Sequence, residues 1–81
     1  MQKGQTKDEM FMKTLYSEAL KLGSEDAALN RYVIGNMVGM QKTAIDTICK
    51  TLLRVNFIKK KGDDEVYLTP QGIRLIEDLK S

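Results

Sequence analysis

The sequence predicts one mostly α-helical domain carrying a small antiparallel β hairpin, and three observations lead to that prediction. Apolar residues recur at helical spacing from Phe11 to Leu52. Beyond Asn56 the alternation changes to that of strands, in "FIKKK" and "EVYLT", which flank Gly62-Asp63-Asp64. Thr69-Pro70 then restarts a helical pattern. The chain has 81 residues, 42% hydrophobic and 30% charged, which suits a single soluble domain with a modest core.

Each element has its own signals. Met1 to Gln5 is polar and is expected to be disordered. Thr6-x-x-Glu9 reads as a capping box, in which each side chain serves a backbone N–H of the other. The helix behind it places Phe11, Leu15, Ala19 and Leu22 on one face, with Met12 and Tyr16 beside them, and Gly23 ends it. "SEDAALN" is a connection with room for a turn of helix. Asn30 caps a second helix whose inward residues are Val33, Ile34, Met37 and Val38, and Gly39 breaks it. A third helix runs from about Gln41 to Val55, burying Ile45, Ile48 and Leu52. Asn56 suits a left-handed residue at its end. In the hairpin Val66 and Leu68 share one face and Tyr67 takes the other. Thr69 caps the last helix, with Pro70 at its first position and Ile73, Ile76 and Leu79 as its buried stripe.

Gly35 and Gly39 lie four residues apart inside an apolar pattern. Two short helices meeting at a large angle need a small residue where their backbones approach, and one free of the Cβ penalty where the chain turns. Gly35 and Gly39 meet those needs, and Ile34, Val38, Met40, Ile45 and Ile48 are the residues such a pair buries. This is the pattern of a helix-turn-helix over residues 30–55. At Gly35 alanine is expected to be harmless and leucine disruptive.

Charge is unevenly distributed. Residues 1–40 balance to zero, with five basic and five acidic side chains. Residues 41–62 carry six basic side chains against Asp46 alone, a net of +5, and residues 63–81 carry two against five, a net of −3. A contiguous basic block suits a polyanion; a solvated helix followed by a lysine-protected edge strand has the same composition.

The stretch "GMQKTAIDTICKTLLRVNFIKKKGDDEVYLTPQG" resembles the core of a winged helix-turn-helix domain of the MarR or PadR kind. In such domains a recognition helix runs into an apolar strand, a basic wing follows, and a leucine-threonine-x-x-glycine signature opens the next helix. Leu68-Thr69-Pro70-Gln71-Gly72 matches that signature. The resemblance implies a three-helix core, a two-stranded wing over residues 57–69 and a C-terminal helix over residues 70–80. It also implies a small, cytoplasmic transcriptional regulator that reads double-stranded DNA with its third helix in the major groove.

The side chains left outside the core of that helix are the candidate contacts. Gln41 matches adenine N6 and N7, Lys42 matches guanine O6 and N7, Thr43 and Thr47 offer a hydroxyl or a methyl, and Ala44 suits a thymine methyl. Lys50 reaches toward phosphate, and Arg54 completes the exposed face. Lys59, Lys60 and Lys61 on the wing strand suit phosphates or the minor groove. Asp46 pairs with Lys42 or Lys50 one turn away, or accepts from cytosine N4. Asp63, Asp64 and Glu65 would repel the DNA backbone, so deep insertion of the wing tip is not expected.

Other chemistries find little support. No cofactor or metal site is expected, because Cys49 is the single cysteine and there is no histidine. Asp63-Asp64-Glu65 reads as solvated turn residues, and Cys49 as a small packing residue. There is no glycine-rich phosphate loop or nucleophile–base arrangement, so no enzyme is expected. No apolar run is long enough for a bilayer, which with the cysteine usage points to an intracellular protein. A weak homodimer is expected, through Met12 or Tyr16 on the first helix or the Leu75 and Leu79 edge of the last. The alternative function is a winged-helix module that binds another protein and reads no bases.

Overall fold

A computed structural model describes residues 6–80, and the disorder expected of residues 1–5 lies outside the described residues. The chain folds as α1 (Lys7–Lys21), β1 (Leu29–Asn30), α2 (Arg31–Met37), α3 (Lys42–Arg54), β2 (Ile58–Lys61), β3 (Glu65–Leu68) and α4 (Pro70–Lys80). It is mostly helical, with a three-stranded antiparallel sheet of order β1-β3-β2. No helix among the described residues is long and apolar enough to cross a membrane.

Local chemistry explains where the helices begin and end. The Thr6–Glu9 capping box opens α1, and the Asn30 side chain accepts from the N–H groups of Tyr32 and Val33 to open α2. The first three helices end in the same way. A residue with positive φ follows each: Gly23 at +99°, Gly39 at +77° and Asn56 at +65°. In each, two nested backbone bonds close the last turn, such as Met40 N–H to Gly35 C=O and, inside it, Gly39 N–H to Asn36 C=O.

The end of α3 is also tied to the start of α4. Buried Thr69 donates its hydroxyl to the Asn56 carbonyl (2.6 Å) and accepts from the Gly72 N–H (3.1 Å). A Cβ on Gly72 would lie 2.2 Å from the Phe57 carbonyl oxygen, so the first turn of α4 rests directly on backbone. That close approach is the physical reason for a glycine three residues after Thr69.

One core cluster joins α1, α2, α3, the hairpin and α4 through Phe11, Leu15, Ile34, Ile45, Cys49, Leu52, Ile58, Val66, Leu68 and Ile76, each with no more than about a fiftieth of its surface accessible.

Several expectations need correction. The expected two-stranded hairpin has a third strand: Leu29 pairs with Val66 and Asn30 with Glu65. Two residues carry no readable period, and β1 is recruited by the free edge of β3. On α2 only Ile34 of the four expected inward residues is fully buried, while Val33 and Met37 are 55% and 53% exposed and Val38 is partly covered. A helix of two turns has only a narrow stripe against its neighbours. Leu22 is the last-turn cap of α1 and is exposed, whereas Met12 is 1% exposed and belongs to the core. On α3 Cys49 is buried beside Ile45 and Leu52, whereas Ile48 is only partly covered. Leu79 lies at the open end of the α4 stripe and is 36% exposed.

Candidate functional site

The exposed side of α3 follows from the buried one. Ile45, Cys49 and Leu52 face the core, so Thr43, Thr47, Lys50 and Arg54 form a stripe on the opposite side, and all four are exposed. Thr47 donates its hydroxyl to the Thr43 carbonyl at 3.0 Å, leaving its methyl and oxygen lone pairs for the outside. Gln41 is the extended cap residue before α3 and supplies no side-chain hydrogen bond to it, so the first-turn N–H groups have no side-chain acceptor. Ala44 is half-buried and packs against the core cluster.

The lysines of β2 divide by strand alternation. Ile58, Val66 and Leu68 are buried, and Lys60 lies opposite Val66, on the core-facing side of the sheet. Lys59 opposite Tyr67 and Lys61 opposite Glu65 take the other side. Lys60 lines a concavity between α3 and β2, together with Arg31, Tyr32, Lys42, Asp46, Lys50 and Leu53. The structure thus joins Lys42, Lys50 and Lys60 around one hollow, whereas Lys59 and Lys61 project from the other face.

Asp46 lines that hollow and gathers several of its neighbours. It accepts from the Tyr32 hydroxyl at 2.5 Å and from Lys42 Nζ at 3.2 Å, and lies 3.9 Å from Arg31 Nη2. Arg31 in turn reaches Asp64 in the hairpin turn at 3.5 Å, and its backbone N–H donates to the Asp64 carbonyl at 2.9 Å. Lys42 Nζ also stands 5.2 Å from the centre of the Tyr32 ring, within cation–π range. The Tyr32 hydroxyl, then Lys42, hold the Asp46 carboxyl below its usual range, and the hydrogen bond to Asp46 raises the Lys42 ammonium. Of the two lysine partners expected for Asp46, the structure selects Lys42.

The rest of the basic block has no such partner. Lys50, Arg54, Lys59, Lys60 and Lys61 are exposed and make no ion pair among the described residues.

No family model, curated protein or solved structure matches this chain.

Any functional assignment therefore rests on geometry and chemistry. Sequence reasoning missed Arg31, Tyr32 and Asp64 as neighbours of the basic block. Tyr32 and Asp46 are 14 residues apart, and no local spacing rule connects them. The i,i+4 relation of Lys42 and Asp46 was the one legible part of the network.

Proposed function

We propose that the chain is a winged helix-turn-helix domain that binds double-stranded DNA as a small, MarR-like transcriptional regulator in the cytoplasm. The element order and the β1-β3-β2 strand order support that fold. The observation that carries the function is the set of five exposed cations on α3 and β2 that have no carboxylate partner among the described residues. Unneutralised cations on adjoining elements suit a phosphate backbone, because each phosphate contact releases a condensed counterion. In this reading Lys50, Arg54 and Lys60 contact phosphates, Gln41, Thr43 and Thr47 face base edges, Lys42 is held by Asp46 and half-buried Ala44 packs inward, and Lys59 and Lys61 lie on the flank of the hairpin.

The test is binding to a random-sequence duplex at two salt concentrations. Lys50→Gln with Arg54→Gln weakens binding to all duplexes alike and makes the salt slope shallower by up to ~2. Gln41→Ala with Thr43→Ala leaves the slope unchanged and reduces the preference for a selected site by ~1–3 kcal/mol for each base-reading side chain removed. If both double variants stay folded and keep full DNA affinity, α3 is not a DNA-reading helix.

A second reading is a protein-binding module. It is favoured by Val33 and Met37, two apolar side chains one turn apart on α2 that stand more than half exposed.

A further inference from the structure

Lys42 is the basic residue nearest the start of α3, and the structure does not leave it free. Its ammonium is hydrogen-bonded to Asp46 and stands over the Tyr32 ring. A lone i,i+4 pair on a helix surface is easily broken by a competing anion. Asp46, however, is itself anchored. The Tyr32 hydroxyl holds one carboxylate oxygen at 2.5 Å, and Arg31 approaches the same oxygen while being pinned by Asp64. The second oxygen is the one that holds Lys42, at 3.2 Å. The carboxylate is therefore fixed from α2 and from the hairpin, and Lys42 is drawn back toward α2.

We infer that Asp46 is a positioning residue that withholds Lys42 from the DNA backbone, so that α3 gives up general affinity and keeps its selectivity. The inference rests on the DNA-binding reading above. Phosphate contacts add affinity without reading sequence. A lysine at the opening turn of α3, if released, would add one such contact on any duplex. The clamp limits that contribution, and the uncharged side chains Gln41 and Thr43 beside it then have more weight in discriminating between sites.

A double-mutant cycle on random-sequence duplex tests this, read as affinity and salt slope. Lys42→Gln alone should change affinity less than twofold and leave the slope as it is. Asp46→Asn should raise affinity roughly fivefold and steepen the slope by about one unit, as one added phosphate contact does. Lys42→Gln placed in the Asp46→Asn background should remove that gain. Tyr32→Phe keeps both charges and removes only the anchoring hydroxyl, so it should produce part of the gain. Removing a negative charge near DNA would also raise affinity through the general field, but then Lys42→Gln would have the same effect in both backgrounds. That additive result overturns the inference. So does an Asp46→Asn variant that stays folded and shows no gain. If the unaltered chain binds no duplex, or Lys50→Gln with Arg54→Gln has no effect, both the DNA-binding reading and this inference fail. An additive cycle in a chain that binds DNA removes the inference alone.

Discussion

Gly35 faces Ile45 so closely that a Cβ placed on it would lie 2.3 Å from both the Cγ1 and Cδ1 atoms of that side chain. Ile45 is 1% exposed and packed within the core, so it yields only by disturbing its neighbours. The expectation that alanine is harmless at position 35 is therefore corrected: helix propensity favours alanine by up to ~1 kcal/mol, and the overlap outweighs it. Gly35→Ala should lose ~1–3 kcal/mol of stability, read as a fall in the urea midpoint at unchanged slope. Gly35→Ala combined with Ile45→Val, which removes the Cδ1 methyl, should recover part of the loss. Cys49 carries a second prediction at this scale. Burial pushes its thiol up to about 11 from an ordinary 9.0. Below pH 9 the thiol is neutral in both the folded and unfolded chain, and burial of the neutral thiol contributes fully. As pH rises from 9 through about 11 the unfolded chain loses its proton first, so this stabilisation is progressively lost. Iodoacetamide at pH 8 should leave the native protein unlabelled and label it once it is unfolded.

The junction of α3 with α4 shows how one side chain can organise two elements. The Thr69 hydroxyl serves the Asn56 carbonyl and the Gly72 N–H together, in a position only 3% exposed. Valine has nearly the same shape and neither hydrogen-bonding function. Thr69→Val should leave both backbone groups unsatisfied and cost about 2 kcal/mol in chemical denaturation, while Thr69→Ser should retain most of that stability. The capping threonine, first-position proline and left-handed asparagine were each legible, because each acts through neighbours a few residues away; the hydrogen bond that joins Thr69 to Asn56 spans 13 residues and was not. The short strand β1 was not legible. Its two residues pair with Val66 and Glu65, more than thirty positions along the chain, and only the free edge of β3 makes them a strand.

In the molecule as a whole, α1 touches α2, α3, α4 and β3, and so Met12, expected at an interface between copies, is consumed by the core instead. The surfaces of α1 and α4 away from α3 remain the elements free to pair two copies. Leu79 at 36% and Leu20 at 48% exposure supply apolar area there. A weak homodimer through α1 and α4 would let two α3 helices read a two-fold-symmetric site. Sedimentation should show association in the high-micromolar range that strengthens on addition of DNA. A strict monomer with and without DNA would remove the idea.

Caps, turns, glycine breaks and strand alternation are local, governed by φ, ψ and neighbours within about four residues. The sequence alone therefore determined four helices, a hairpin turning at Gly62-Asp63-Asp64 and a basic block in the middle of the chain. It also marked the outward stripe of α3, because the inward one is apolar. Only the tertiary structure decided which of those basic residues are committed. Lys42 is joined to Asp46, which is held by a tyrosine hydroxyl from α2 and an arginine tied to the hairpin turn. Lys60, and not Lys59 or Lys61, shares a hollow with α3 because Lys60 lies on the side of β2 that faces the core. Each of these assignments depends on groups brought together across the fold, and local periodicity carries no information about such distances.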